Sequence, residues 1–129
     1  MSASHPVKVN DTLFNKVYLM WGGPYRNCPD ALGNKGFCLL EEPFGIYHTH
    51  LPVPDFGVPT DEKAVEKALR AALDLFLDGH PIYVGCMGGI GRTGMFMALI
   101  ARCLGHKDPI AFIRSNYSPM AVETIPQEE

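Results

Sequence analysis

The segment from Ile82 to Gly94 constrains the fold of this chain more than any other stretch. It starts with a β-forming apolar run, continues through a loop rich in glycine, and leads into an apolar run with helical character that begins at Met95. A strand, a tight turn and a helix in succession are typical of α/β domains. Backbone N–H groups converge in such a turn, and the helix dipole adds partial positive charge there. The segment therefore predicts a binding site for a tetrahedral anion.

Two side chains add chemistry to this anion site. Arg92 offers a planar pair of donors that suits two phosphate oxygens. Cys86 lies at the start of the loop, where the same dipoles would stabilise a thiolate. A nucleophile beneath a phosphate-binding loop predicts attack on phosphorus. The loop residues predicted to hold the phosphate are Met87, Gly88, Gly89, Ile90, Gly91 and Arg92.

Three other interpretations of this loop stay open. A nucleotide-binding P-loop would need glycine in place of Cys86 and lysine in place of Arg92, and no later strand ends in an aspartate for magnesium. A sulfurtransferase loop also begins with a cysteine at a strand end, although it usually closes in fewer residues. A phosphate-binding module without turnover would use the same loop and release no product.

The patterns around the loop predict one α/β domain with a largely parallel sheet. Strands are expected at 17–21, 36–40, 46–51 and 82–84, with a stiff proline-rich loop over 52–59. A first helix is expected to begin at an N-cap on Thr60 and to end at Gly79. A second, apolar nearly all round, should cover about 93–104, and a third should begin at Asp108 and Pro109.

Composition excludes several functional classes. The 129 residues suit a single domain, and 11 basic against 14 acidic side chains leave no positive excess for a nucleic-acid backbone. The longest apolar run, Met95 to Ala101, is far shorter than the roughly 20 residues of a membrane span. With no secretory signal visible at the N-terminus, a cytoplasmic protein is expected. Four scattered cysteines without a Cys-x-x-Cys pair predict no metal site.

Three segments resemble the cysteine-dependent protein tyrosine and dual-specificity phosphatases. The family signature is His-Cys-x5-Arg-Ser/Thr-Gly, and residues 86–94 match its Cys, Arg, Thr and Gly. The family carries a general-acid Asp a few residues before a Pro, and Asp55 stands in such a loop, 31 residues before Cys86. Residues 117–127 are similar to the bacterial dual-specificity pattern Arg-Pro-x-Ala-Val-Glu-Thr-x-x-Gln, which ends here at Gln127. The resemblance covers about residues 13–127.

This resemblance implies a two-step hydrolysis of a phosphorylated protein or peptide without metal or other cofactor. Cys86 would attack phosphorus and form a phosphocysteine, while Asp55 would protonate the leaving oxygen. Asp55 would then activate a water molecule positioned by Gln127. Arg92 and the loop N–H groups would hold the equatorial oxygens, where transition-state charge lies. The Thr93 hydroxyl would donate a hydrogen bond to the cysteine sulfur and help it leave.

The resemblance also implies the phosphotyrosine-phosphatase-like fold, a mostly parallel central sheet flanked by helices with the phosphate loop between a strand and a helix. One phosphatase domain would cover residues 1–129, ending just after the Gln segment without the family's usual final helix. The loop contains Met87 and no lysine, so it lacks the extra cation expected for highly phosphorylated inositides. The expected site is shallow and accepts phosphotyrosine, with phosphoserine and phosphothreonine left open.

Gly85 departs from the family, which places histidine before the cysteine. The missing imidazole predicts a weaker hydrogen-bond network around the thiolate, unless the loop dipoles and Thr93 suffice. A Gly85→His variant is therefore expected to move the acidic limb of the kcat/KM profile to lower pH. Cys38 is expected in the core, with a protective disulfide to Cys86 as an alternative.

Four other residues have a structural interpretation beside the functional one. Asp30 is a weaker alternative to Asp55 as the general acid, because it lies farther upstream in a less patterned turn. His48 and His50 would share one face of a strand but lack a third ligand, so they predict hydrogen-bonded or solvent-facing imidazoles. Trp21 predicts packing, with the rim of a substrate cleft as the alternative.

Overall fold

The computed structural model of the chain describes residues 6–12, 16–43, 45–53, 61–88 and 90–118. Within these ranges, five strands form one sheet in the order β1-β2-β5-β3-β4. Their bounds are Val7–Asn10, Val17–Pro24, Gly36–Cys38, Thr49–His50 and Ile82–Cys86, numbered β1 to β5 along the chain. Strands β2 to β5 run parallel, and β1 pairs antiparallel with β2 at one edge. The expected α/β class with a mostly parallel sheet is confirmed.

Helices α1, α2 and α3 in the described ranges cover Glu62–Leu77, Gly91–Cys103 and Pro109–Asn116. The predicted N-cap of α1 is wrong by one residue, because the cap is Asp61 rather than Thr60. The Asp61 carboxylate accepts hydrogen bonds from the backbone N–H groups of Lys63 and Ala64, at 3.0 and 3.2 Å. A carboxylate also complements the positive end of the helix dipole. Gly79, with a φ of +82°, follows the helix as predicted.

The predicted bounds of all four strands are wrong: β3 ends at Cys38 rather than at residue 40, β4 covers only Thr49–His50 of the expected 46–51, and β2 and β5 run farther than expected. Gly22, Gly23 and Pro24 were expected to stop β2, yet all three pair in parallel with residues 84–86 of β5. Because β5 is the central strand, pairing on both of its sides also carries it past the predicted end to Cys86. Strand β1, which the patterns did not predict, closes the sheet edge beside β2. Ladder pairing therefore overrides the local turn signal of glycine and proline.

Each face of the sheet buries a different cluster. The larger cluster joins the three helices to one face, where Met20, Phe37 and Val84 lie. The smaller cluster, on the other face, consists of Tyr25, Cys38 and Tyr83, covered by two 3-10 segments over residues 25–27 and 30–35. Most of α2 is buried, which confirms the prediction of a central helix. None of the described helices combines the length and hydropathy that a bilayer span requires.

Candidate active site

Cys86 ends the central strand of the sheet, and only 3% of its surface is exposed. Helix α2 begins five residues later, at Gly91. The intervening loop thus joins the C-terminal end of a parallel strand to the N-terminus of a buried helix. Ligands of open α/β sheets bind outside this end of the strands. The positive end of the helix dipole makes the same place favourable for an anion.

The Thr93 side chain contacts this cysteine directly. Its hydroxyl is fully buried and donates a hydrogen bond to the Cys86 sulfur at 3.1 Å. Donation to a sulfur stabilises the thiolate relative to the thiol. The contact expected from the sequence is therefore present in the structure.

Arg92 is also buried, with 5% of its surface exposed. Its Nη1 donates a hydrogen bond to the backbone oxygen of Val53 at 2.8 Å. The Val53 N–H in turn donates to the Leu39 oxygen, and the Leu39 N–H donates to the Gly85 oxygen. These bonds tie the guanidinium, the backbone that leads toward residue 55, and the strand that carries the nucleophile into one network.

The N-terminus of α2 differs from those of the other two helices. Asp61 and Asp108 cap α1 and α3 with their carboxylates. Ile90, at the N-cap of α2, has no polar side chain and makes no such cap. The backbone N–H groups in a first helical turn need acceptors from outside the helix. An oxyanion seated in the loop is a natural acceptor for them.

The loop residues lie at different depths. Met87, directly after the cysteine, is 62% exposed, while Gly91 is buried in the first turn of α2. A β-carbon placed on Gly88 would have no heavy atom within 4 Å, so space remains beside that part of the loop. Gly89 lies outside the described residues.

The predicted general acid Asp55 and the predicted water-positioning residue Gln127 also lie outside the described residues. Both assignments stay predictions. The alternative acid, Asp30, is exposed at the start of a 3-10 segment that covers the smaller cluster. That segment packs on the opposite face of the sheet from the Cys86 side chain, which leaves Asp55 as the favoured candidate.

The structure argues against a disulfide between Cys38 and Cys86. Cys38 pairs with Gly85 across parallel strands, so its side chain points to the same face as position 85. Successive side chains on a strand point to opposite faces, and Cys86 accordingly joins the larger cluster. Cys38 packs with Tyr83 in the smaller one. Two cysteines whose side chains point apart cannot bridge without backbone movement.

Trp21 packs in the fold, and His48 and His50 make hydrogen-bonding contacts, as their structural interpretations predicted. Trp21 pairs with Tyr83, three residues before the nucleophile, and packs against the smaller cluster. His50 has its Nε2 2.7 Å from the Leu40 oxygen. The Nδ1 of His48 lies 2.8 Å from the Thr49 hydroxyl.

Gly85 occupies a position with no room for a side chain. A β-carbon there would lie 2.7 Å from the Tyr25 Cα and 2.9 Å from the Gly23 oxygen. Tyr25 is itself held in place, because its hydroxyl donates to the Ile46 oxygen at 2.6 Å. This crowding opposes the expectation that Gly85→His would restore the family's imidazole network, and the shift of the acidic limb stays a prediction. The imidazole would first have to displace backbone on an adjacent strand.

Gly85→Ala is expected to lower the free energy of unfolding by about 1–3 kcal/mol, the usual effect of overpacking. The matched variant Gly88→Ala makes the same substitution three residues later, in the loop after β5, where a β-carbon meets nothing within 4 Å. Thermal unfolding of both variants checks the prediction, with a clear fall in Tm expected for Gly85→Ala alone. Equal Tm values would contradict the crowding at position 85.

Comparison with known sequences places this site in a family. Residues 31–106 match the family model described as a polymorphic toxin system DSP-PTPase phosphatase. Two uncharacterized proteins of Methanocaldococcus jannaschii are each 35% identical over 109 residues. These matches cover 78% of this chain and 68% and 63% of the relatives, so the chain spans about two thirds of their length. A stretch of 60 residues is 38% identical to protein-tyrosine-phosphatase PTP1 of Arabidopsis thaliana, covering 46% of this chain and 18% of that protein.

Solved structures share the fold. A kinase-associated phosphatase, with its catalytic cysteine replaced by serine, superposes with a TM-score of 0.71 at 16% identity, covering 96% of this chain and 89% of its own. Tk-PTP in its active form gives a TM-score of 0.66 at 24% identity over 85% of each chain. The expected phosphotyrosine-phosphatase-like fold is thereby confirmed. Since the family model also spans more than half of the sequence and includes the loop from Cys86 to Thr93, the chain belongs to the DSP-PTPase family of cysteine-dependent phosphatases.

Proposed function

We propose that this protein hydrolyses phosphotyrosine in proteins or peptides through a phosphocysteine formed on Cys86. The observation that carries the proposal is the Thr93 hydroxyl, 3.1 Å from the Cys86 sulfur at the start of α2. A sulfur that accepts this hydrogen bond beside the positive end of a helix dipole is favoured as thiolate. The thiolate is the form of cysteine that acts as a nucleophile.

In the first step, the Cys86 sulfur attacks phosphorus and the bond from phosphorus to the leaving oxygen breaks. Asp55 transfers its proton to that oxygen, so the leaving group departs as a neutral alcohol. The three remaining oxygens carry the negative charge of the transition state. Arg92 and the loop N–H groups donate hydrogen bonds to them, which stabilises the charge where it develops.

In the second step, water attacks phosphorus and the bond between sulfur and phosphorus breaks. The Asp55 carboxylate accepts a proton from the water, and Gln127 orients the water for attack. The sulfur leaves as a thiolate, which the Thr93 hydroxyl stabilises at 3.1 Å. Inorganic phosphate is released, and each group returns to its starting protonation state.

The contrast in exposure between the nucleophile and its neighbour supports phosphotyrosine as the substrate. Cys86 is 3% exposed, whereas Met87 beside it is 62% exposed. An aryl phosphate extends its phosphorus farther from the peptide backbone than a serine or threonine phosphate does. The apolar Met87 side chain also offers a surface for an aromatic ring. Phosphoserine and phosphothreonine peptides are the comparison substrates for this preference.

Hydrolysis of p-nitrophenyl phosphate tests the proposal directly. We expect turnover that vanadate inhibits and EDTA leaves unchanged, and acid quenching should trap one phosphate on the peptide that contains Cys86. Binding of phosphate or vanadate without turnover would instead identify a phosphate-binding module. Failure of both turnover and anion binding would remove the phosphate site altogether.

Asp55→Asn is expected to slow hydrolysis of a phosphotyrosine peptide by at least about 10²-fold, because the tyrosyl oxygen needs a proton as it leaves. p-Nitrophenolate leaves readily without one, so the loss on its phosphate ester should be only a few-fold. Measuring kcat on both substrates checks the role, with Asp30→Asn as a matched control that leaves both values unchanged. An equal loss on the two substrates would make Asp55 a structural residue.

A further inference from the structure

Tyr117 brings a phenol to the face of the sheet that carries the nucleophile. It directly follows α3 and packs against the larger cluster. Its ring atoms Cε1 and Cζ lie 2.7 and 2.8 Å from the point that a β-carbon on Gly22 would occupy. The Met97 Cε of helix α2 lies 2.8 Å from the same point. The ring is therefore held between β2 and α2.

Strand register places this ring beside the column of residues that ends in Cys86. Gly22 pairs in parallel with Val84, and Met20, two residues earlier on β2, points into the larger cluster. Because side chains alternate along a strand, position 22 faces the same cluster as Met20. Val84 and Cys86 also face that cluster. Tyr117 and the cysteine sulfur thus share one face at neighbouring positions.

Burial, and after it the negative charges nearby, keep the Tyr117 phenol protonated. Burial raises the pKa of Tyr117 well above its usual range, and the nearby Cys86 thiolate raises it further because a second negative charge is unfavourable. Tyr83, on the same strand as the cysteine, has its pKa raised to about 12 by burial, and its hydroxyl donates to the Pro24 oxygen at 2.8 Å. From α2, the Thr93 hydroxyl donates to the sulfur at 3.1 Å, and the buried Arg92 adds a positive charge in the first turn of the same helix.

We propose that Tyr117 is a positioning residue for the nucleophile, whose phenol O–H dipole is directed toward the Cys86 sulfur and favours its thiolate form. Gly85 offers no donor, and a β-carbon there would crowd the Tyr25 Cα, so a further donor to the sulfur would come from another element. Tyr117 reaches the site from the end of α3, on the face that the sulfur occupies. The inference rests on the proposed function only in using the thiolate as the reactive form.

The pH dependence of Cys86 alkylation by iodoacetamide tests this role without any turnover. The modified fraction of the Cys86 peptide is followed by mass spectrometry, which separates it from the other three cysteines. In Tyr117→Phe, the midpoint of alkylation is expected to rise by about one pH unit, the order expected for losing a donor to a charged group. Below the midpoint, alkylation should then slow about tenfold.

Two further variants separate this effect from general loosening of the fold. Gly22→Ala puts a β-carbon where the Tyr117 ring lies, and the atoms it meets belong to side chains that can shift. Gly22→Ala keeps the Tyr117 hydroxyl but displaces it, so the midpoint of Cys86 alkylation should again rise. Tyr25→Phe removes a buried phenol bonded to the Ile46 oxygen, on the opposite face of the sheet. Its midpoint should equal that of the wild type.

An unchanged midpoint in Tyr117→Phe would overturn the inference. If Tyr117→Phe does not fold, an unchanged midpoint in Gly22→Ala would overturn it instead. An equal rise in Tyr25→Phe would also overturn it, because the shift would then reflect destabilisation. The proposed function is judged by a separate measurement, the turnover of a phosphate ester. A wild-type protein that hydrolyses no phosphate ester but shows the midpoint shift would refute the proposed function and keep the role of Tyr117.

Discussion

Replacing Cys86 by serine is expected to lower kcat by at least about 10⁴-fold on every phosphate ester, because the nucleophile itself is lost. A serine hydroxyl stays protonated at neutral pH, and neither the Thr93 hydrogen bond nor the helix dipole suffices to ionise it. Serine has nearly the same shape as cysteine, so the loop backbone and Arg92 should still bind phosphate. Steady-state hydrolysis of p-nitrophenyl phosphate and calorimetric titration with phosphate measure the two properties.

Cys103→Ser is the matched control for this experiment. Cys103 is exposed and is the last residue of α2, at the opposite end of the helix from the phosphate loop. Its variant should keep full activity. If Cys86→Ser retained more than about a tenth of the wild-type rate, covalent catalysis through this residue would be excluded.

Arg92→Lys is expected to lower kcat/KM on a phosphotyrosine peptide by about 10³-fold or more, in the range that an arginine contributes to phosphoryl transfer. The planar guanidinium can donate to the Val53 oxygen at 2.8 Å and still present a fork of donors to two phosphate oxygens. A lysine ammonium is a single point charge and cannot replace both contacts. Both kcat and KM should therefore worsen.

Arg102→Lys provides the control on the same helix. Arg102 is exposed in the last turn of α2, far along the helix from the loop, so its replacement should leave kcat/KM unchanged. Near-normal activity of Arg92→Lys would contradict the assigned role of the guanidinium. It would also show that the Val53 contact can be dispensed with.

Features carried by one continuous segment were predictable from the sequence. The contact between Cys86 and Thr93 at 3.1 Å, which the family resemblance implied, joins two residues of one continuous strand, turn and helix. The cap of α3 by Asp108 and the stop after α1 at Gly79 depend on neighbouring backbone groups in the same way. Short-range spacing therefore determined the anion loop, the helices and the α/β class.

Features that depend on which strands pair, and in which register, were decided by the tertiary structure. Parallel pairing carries β2 through Gly22–Pro24 and brings Tyr25 against Gly85, which removes the room for a histidine. The same register sends Cys38 to the face opposite Cys86, because a shift of one residue along a strand reverses the direction of its side chain.

Contacts between segments that are distant in the sequence were also decided by the tertiary structure. Arg92 meets the Val53 oxygen 39 positions away, and Tyr117 reaches Gly22 from the far end of the described chain. Spacing along the sequence carries no information about such approaches, since they arise only after the sheet has assembled and its faces are set. The sequence by itself thus determined which residues form the phosphate loop, and the packing of the sheet decided which groups surround it.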